Sequence, residues 1–134
     1  MALDQTMIVA GVGCRRGAAA PEIEAAIRAA LANAGIASDA LDAIATIAAK
    51  HDETGIETAA ASFGVNLVLV SDADLKAAGD RAETRSERVL AKTGVPSVAE
   101  AAALAVAGPS ARLISPRLVV GSATCALASS GAVS

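Results

Sequence analysis

The sequence contains almost no aromatic residues: among 134 residues there is one Phe and no Trp or Tyr. Proteins that bind single-stranded nucleic acids stack the bases on aromatic side chains, and nucleic-acid-binding domains in general carry clusters of Lys and Arg. Here 11 Lys and Arg are set against 14 Asp and Glu, which gives a net charge of −3. These deficits argue against a nucleic-acid-binding protein.

Long apolar runs, a basic amino terminus and metal-binding residues are scarce as well. A transmembrane helix needs about 20 apolar residues, and the apolar runs here are shorter. The chain begins with the acidic stretch MALDQT, whereas a secretory signal begins with basic residues. Two Cys and one His are too few for a structural zinc site. We therefore predict a cytoplasmic protein with no membrane segment and no metal site.

Small aliphatic residues are what the sequence has in abundance. Apolar residues make up 54% of the chain, so the core must consist of Ala, Val, Ile and Leu. A chain of this length forms one ordinary domain. A single domain is predicted over residues 3–128, followed by a flexible tail at 129–134.

Short apolar runs alternate with helical patterns along the chain, which is typical of an α/β protein. Strands are predicted at residues 7–12, 43–48, 65–70, 112–115 and 123–128, the last two separated by Pro116 and Gly121. Helices are predicted from cap residues and helix starts at Pro21, Asp52, Ser71, Thr84 and Ser97. We predict a three-layer α/β/α sandwich with a mainly parallel sheet of about five strands, made mixed by a final antiparallel hairpin.

The stretch GVGCRRG, residues 11–17, follows the first predicted strand and precedes a helix. Gly11, Gly13 and Gly17 permit tight turns and a close approach of the backbone to a ligand, while Arg15 and Arg16 suit carboxylate or phosphate groups. The glycine spacing matches neither the dinucleotide fingerprint nor the Walker motif. Two interpretations remain open: an anion site at a helix amino terminus, or a tight turn with two solvated arginines.

Cys14 lies in the same loop, next to two arginines that would lower the pKa of its thiol. A nucleophile is one interpretation, and a small side chain that fills the end of the strand is the favoured one. Cys125 lies in an apolar strand and is predicted to be part of the core. A reducing compartment disfavours a disulfide between the two.

A second candidate loop, KHDETG at residues 50–55, follows the second predicted strand. Glu53 is a candidate general base for water or an anchor for an amide or a cation, and Lys50 could bind a substrate carboxylate. His51 could be an axial ligand to a metal within a bound ligand. The plainer interpretation, which is favoured from the sequence, makes Asp52 a helix cap and leaves Lys50 and His51 in solvent. Because ligands of such sheets bind outside the carboxyl ends of the strands, this loop and GVGCRRG are expected to share one site.

Two capping boxes, TRSE at 84–87 and SVAE at 97–100, place a hydroxyl residue three positions before Glu87 and Glu100. Capping accounts for both glutamates, so a catalytic role for either is the weaker hypothesis.

Five blocks in this order resemble the CobE family and the C-terminal domain of CbiG: VAGVGCRRG, AAKHDETG, SERV, GVPSVAEAAAL and ATCALA. The resemblance spans about Met7 to Ala128 and implies an α/β/α fold and a place in cobalamin biosynthesis. Full-length CbiG opens a lactone on a cobalt-containing precorrin and has amino-terminal regions as well, whereas the resemblance here is to its C-terminal domain. The resemblance to CobE implies the aerobic pathway. Many relatives are expected to have hydroxyl residues after the glycine loop, where this chain has Ala18 and Ala19.

The resemblance supplies a ligand class, since corrin intermediates are macrocycles edged with carboxylates. The residues predicted to bind it are Gly11, Gly13, Cys14, Arg15, Arg16, Gly17, Lys50, Glu53, Ser86, Glu87, Ser97, Glu100 and Thr124. No cofactor is required on this interpretation, and cobalt enters only as part of a bound corrinoid.

Three functions follow as hypotheses. The chain binds or carries a corrinoid intermediate, or hydrolyses a precorrin lactone with Glu53 as the base, or docks on another enzyme of the pathway without binding a ligand. Neither the intermediate nor the oligomeric state follows from the sequence.

Overall fold

A computed structural model describes residues 7–14, 17–47, 54–79, 97–108 and 111–130. The strands are β1 (Ile8–Cys14), β2 (Ala43–Ile47), β3 (Asn66–Val70), β4 (Arg112–Val120) and β5 (Ala123–Ser129). The helices are α1 (Ala20–Ala34), α2 (Thr54–Phe63), α3 (Asp72–Gly79) and α4 (Val98–Ala107), with a short 3₁₀ turn at Ser38–Ala40. Among these described helices, none is long and apolar enough to cross a membrane.

The five strands form one mixed sheet in the order β3-β2-β1-β5-β4. The first three strands are parallel, while β5 runs antiparallel to both β1 and β4. The predicted α/β class, the mixed sheet and the final hairpin are therefore confirmed. The parallel strands β1, β2 and β3 end together at one side of the sheet, which we call the carboxyl edge; the opposite side is the amino edge.

Side chains that alternate along β1 separate the core into two halves. Ile8, Ala10 and Val12 pack with α1 and α2 on one face, and Val9 packs with α3 and α4 on the other. The apolar face predicted for α1 is also confirmed, because Ile23, Ile27, Ala30 and Leu31 are buried. This helix ends at Gly35, whose φ of 72° gives the left-handed cap that a glycine adopts easily.

Gly11 allows α4 to lie directly on the sheet. A Cβ atom at this position would lie 2.7 Å from the backbone nitrogen of Ala103 and closer still to the carbonyl oxygen of Ala99. Residues 99–104 of α4 are all buried, which fits a helix composed almost entirely of small apolar residues. Helix α4 thus covers the face of Gly11 from which a side chain would project. Gly11 is one of the residues predicted to bind the ligand.

The carboxyl-terminal region departs from the prediction in two places. Strand β4 continues through Pro116 to Val120, instead of ending at Ser115. Pro116 is tolerated because β4 is an edge strand and its pairing with β5 is irregular on both sides of Ser115. Strand β5 ends at Ser129, one residue beyond the predicted strand, and the N–H of Ser130 donates to the carbonyl of Met7.

Burial of the Cys125 thiol leads to a prediction about pH. The thiol is fully buried, and loss of solvation raises its pKa far above the usual value. In the unfolded chain a thiol loses its proton above about pH 8.5, whereas the folded chain keeps it. The free energy of unfolding should therefore fall above about pH 8.5, by up to about 1.4 kcal/mol per pH unit.

Urea unfolding at pH 7.5 and 9.5 measures this fall, with Cys125→Ala as the comparison. The variant should be less stable at pH 7.5 because of the cavity it creates, and its stability should decline less with pH. Equal declines in the two proteins would show that Cys125 does not contribute.

Candidate functional site

The carboxyl edge brings together segments that are far apart in the sequence. Cys14, the last residue of β1, pairs with Ala123 of β5, which places the β4–β5 turn at Gly121 and Ser122 beside the end of β1. The parallel strand β2 ends next to it at Ile47. The hydroxyl of Thr46 donates to the carbonyl of Val12 over 2.8 Å and joins these two strand ends.

A glycine contact brings the first turns of α1 and α2 together. A Cβ atom on Gly55 would collide with the carbonyl oxygen of Ala18 and lie 3.3 Å from the backbone nitrogen of Ala20. The chain therefore leaves β1 and β2 at adjacent positions and enters α1 and α2 at adjacent positions. This geometry confirms that the loop after β1 and the loop after β2 begin and end at the same edge.

Glu22 connects the start of α1 to the β4–β5 turn. One of its carboxylate oxygens accepts hydrogen bonds from the N–H and from the hydroxyl of Ser122. Gly121 leaves room for this contact, since a Cβ there would lie 3.1 Å from the Glu22 carboxylate. Its φ of +59° is also a conformation that glycine adopts easily. These contacts fix the position of the first helix relative to the hairpin.

Removing the Glu22 carboxylate is expected to destabilise the protein. Glu22→Ala loses two hydrogen bonds to a charged acceptor at an exposed position, which we expect to cost about 1 kcal/mol of unfolding free energy. Glu24→Ala is the matched control on the same helix, since Glu24 forms a surface ion pair of 3.6 Å with Arg28 and should lose about 0.5 kcal/mol or less.

The second half of that test is a double-mutant cycle in urea unfolding. The loss for Glu22→Ala combined with Ser122→Ala should be smaller than the sum of the two single losses. Fully additive losses would mean that the two residues do not act through each other.

Three neighbouring strands each place one residue at the carboxyl edge on the α4 side of the sheet. Gly13 of β1 pairs with Thr124 of β5, and Thr124 pairs with Val119 of β4. We call these three residues the shelf. Gly13 and Thr124 are half-buried, and Val119 is 61% exposed. The Thr124 hydroxyl donates to the Gly13 carbonyl over 3.3 Å, and the exposed Val119 beside it is apolar.

The amino terminus of α1 offers fewer amides to an anion than the sequence suggested. Pro21 has no N–H, and the N–H groups of Glu22 and Ile23 both donate to the carbonyl of Ala19. Ala19 is the N-cap residue, and its side chain makes no capping hydrogen bond. The described start of α1 therefore offers an anion fewer backbone amides than a helix start usually does.

The capping residues Ser97 and Glu100 lie at the start of α4 and are both buried. The Ser97 hydroxyl accepts the N–H of Glu100 over 3.3 Å, as the capping pattern predicts. The Glu100 carboxylate accepts the N–H of Arg117 over 2.9 Å, at the irregular part of β4. A hydrogen-bonding role in the fold thus accounts for Glu100, and its carboxylate has no exposed surface at which to contact a ligand.

The two cysteines lie on neighbouring strands and neither forms a disulfide. Cys125 is in the core, as predicted. Cys14 is half-buried and packs against the α1 and α2 side of the core, which matches the interpretation of a side chain that fills the strand end.

Several predicted site residues lie outside the described residues, and they stay predictions. They are Arg15, Arg16, Lys50, His51, Asp52, Glu53, Ser86 and Glu87. The described residues on either side of the first loop, Cys14 and Gly17, and of the second, Ile47 and Thr54, all belong to the carboxyl edge.

Sequence reasoning missed Ser122, Val119 and the structural role of Glu22. The contact of Glu22 with Ser122 joins residues 100 positions apart, and the shelf depends on the pairing register of three strands. No local motif carries either signal. Within the described ranges, no group of three His, Cys, Asp or Glu residues could hold a metal ion.

Comparison with known proteins identifies the family of this chain. The family model described as "Cobalamin synthesis G C-terminus" matches residues 8–128. The chain is 41% identical over 121 residues to Protein CobE of Sinorhizobium sp, an alignment that covers 90% of this chain and 79% of that protein. It is also 32% identical over 102 residues to a cobalt-precorrin-5A hydrolase of Priestia megaterium, covering 76% of this chain but only 27% of the hydrolase.

A solved structure agrees with these matches. The crystal structure of CobE, "a protein from the cobalamin (vitamin B12) biosynthetic pathway", superposes with a TM-score of 0.86 at 35% identity and covers 92% of this chain and 90% of that one. The chain belongs to the family of the cobalamin synthesis G C-terminus. It is accordingly a cobalamin biosynthesis protein, related to CobE and to the C-terminal domain of CbiG.

Proposed function

We propose that this chain is a cytoplasmic binding module for a polycarboxylate corrinoid or precorrin intermediate, held at the carboxyl edge. The observation that carries the proposal is that the described residues before and after the two predicted loops lie at one edge, with Gly55 against Ala18 and β1 paired with β2. A ligand there would meet the loop of Arg15 and Arg16 and the loop of Lys50 together.

The residues of the shelf favour a ligand with a flat face. Gly13, Thr124 and Val119 lie side by side with small side chains, so one face of a macrocycle could rest on them while its carboxylates reach past the strand ends. Burying the exposed Val119 would add apolar contact. Arginine pairs with carboxylates through two parallel hydrogen bonds, which adds both strength and orientation.

The experiment is a titration of the purified chain with a metal-free corrin polycarboxylic acid, followed by visible absorbance. Saturable binding is expected, and the fully esterified corrin should bind at least about tenfold more weakly because it lacks the charges that Arg and Lys recognise. Equal affinity for the acid and the ester would overturn the proposal.

A matched pair of variants localises the ligand. Val119→Glu places a negative charge on the shelf and should weaken binding of the acid, whereas Leu69→Glu makes the same change at an exposed position on β3, the other edge strand. Only Val119→Glu should raise the dissociation constant of the corrin acid. Equal effects would mean that charge acts at long range and that the shelf is not the site.

Hydrolysis of a precorrin lactone is the second candidate, and the similarity to a cobalt-precorrin-5A hydrolase favours it. The chain spans about a quarter of that protein, so the activity need not reside in the shared part. On this proposal Glu53 would accept a proton from the attacking water. Incubation of the chain with a precorrin lactone, in place of the corrin acid, separates the two functions: acetaldehyde released by the wild type and lost in Glu53→Gln would identify an enzyme, whereas binding of the lactone without product would identify a carrier.

A further inference from the structure

The two edges of the sheet differ in how they are protected against pairing with another strand. On β4, Pro116 has no N–H to offer, the N–H of Arg117 is donated to Glu100, and the pairing register shifts twice. Proline, irregular pairing and charged residues are the means by which proteins protect an exposed sheet edge. Strand β4 has all three, since Arg112 is also exposed.

Strand β3 has none of these features. Its sequence is Asn-Leu-Val-Leu-Val, with no charge, no proline and a regular parallel register to β2. Within the described part of the chain, residues 66–70 hydrogen-bond to β2 alone, which leaves the outer row of N–H and C=O groups without partners. Leu69 is 43% exposed on this edge, and Leu67 and Val68 are half-buried.

The sequence of β3 is self-complementary, and this identifies the occupant. If a second copy pairs antiparallel with the two-fold axis at Val68, each Leu67 lies opposite Leu69 of the other copy, and the two Val68 residues face each other. An isologous interface requires such a match of one surface with itself. Apolar pairs at opposite positions are also what stabilises antiparallel strands.

The charges next to β3 select the antiparallel arrangement over the parallel one. Asp72 and Asp74 are exposed just beyond the carboxyl end of β3. In a parallel pair these carboxylates would lie side by side and repel each other. In the antiparallel pair they lie at opposite ends of the interface.

We infer that β3 pairs antiparallel with β3 of a second copy, extending two five-stranded sheets into one sheet of ten strands. The carboxyl edges of the two copies then point in opposite directions, so each copy keeps its own edge open. A five-residue strand is a short interface, and dimerisation should therefore depend on protein concentration. This inference is independent of the proposed ligand.

Sedimentation of the full chain over a range of concentrations tests the inference, with one variant on each edge strand. Leu69→Lys introduces a charge at the proposed interface and should weaken dimerisation at least tenfold. Val119→Lys makes the corresponding change at an exposed position on β4 and should leave dimerisation unchanged. A wild-type chain that stays monomeric at the highest concentration, or a Leu69→Lys protein that dimerises like wild type, would overturn the inference.

A cysteine placed at the two-fold axis tests the register without relying on a destabilised interface. Val68→Cys should form a disulfide-linked dimer under mild oxidation, since directly opposite residues have neighbouring Cβ atoms. Leu69→Cys should cross-link far less, because Leu67 is opposite it. The unmodified chain, with Cys14 and Cys125, is the background control. Equal cross-linking of the two variants would overturn the proposed pairing.

Discussion

Replacing Arg15 and Arg16 together by Ala is expected to weaken binding of a corrin polycarboxylic acid by at least about tenfold, and by more at low salt. Each arginine lost removes a charge-assisted interaction with a carboxylate, and the two together should contribute at least about 1.4 kcal/mol, which corresponds to a tenfold change in affinity. Exposed charges are screened by salt, so the difference between the variant and the wild type should shrink as ionic strength rises. The measurement is the absorbance titration at two salt concentrations.

Two controls separate charge and geometry from general damage. The double change to Lys keeps both charges but loses the planar fork of arginine, so its affinity should lie between those of the wild type and the double Ala variant. Arg112→Ala removes an exposed arginine at the amino edge, where Arg112 pairs with Ser129, and should bind like wild type. Unchanged affinity in the Arg15 and Arg16 double Ala variant would remove the basic loop from the site.

Gly11→Ala is expected to destabilise the protein more than any other single methyl group added to β1. The new Cβ would meet backbone atoms of Ala99 and Ala103, with the nitrogen of Ala103 at 2.7 Å, and backbone atoms cannot rotate away. Helix α4 must then shift off the sheet. We expect a loss of about 3 kcal/mol or more in the free energy of unfolding.

Gly13→Ala is the matched control two residues along the same strand. Its Cβ would meet only the Thr124 hydroxyl oxygen, at 2.8 Å, and that side chain can rotate. The expected loss is about 1 kcal/mol or less. Urea unfolding of both variants measures the difference. Equal losses of unfolding free energy would mean that the contact between α4 and Gly11 is not tight.

The elements with strong local signals could be predicted from the sequence. Helix α1 has Pro21 in its first turn, a regular apolar face and a left-handed Gly35 at its end, and each of these acts within a few residues. The capping hydroxyl of Ser97 is equally local. The end of β4 could not be predicted, because whether Pro116 stops a strand depends on its place at the edge of the sheet.

The candidate site could be predicted only as two loops. Topology rules place the ends of neighbouring parallel strands together, and that part of the prediction is confirmed by the contact of Gly55 with Ala18. The shelf and the contact of Glu22 with Ser122 arise from strand register and from residues distant in sequence. Glu100 is predicted by resemblance to bind the ligand, and the hydrogen bond that its carboxylate accepts from the N–H of Arg117 has no sequence signature.

The most direct test of the binding site is a nuclear magnetic resonance titration of the isotopically labelled chain with a metal-free corrin polycarboxylic acid. Binding at the carboxyl edge predicts that the amide signals of Gly13, Gly17, Gly55, Val119 and Thr124 move together and saturate together. Signals at the amino edge, such as those of Gly35 and Asp42, should stay in place. Saturable shifts at the amino edge, with the five carboxyl-edge signals unmoved, would contradict the site proposed for this protein.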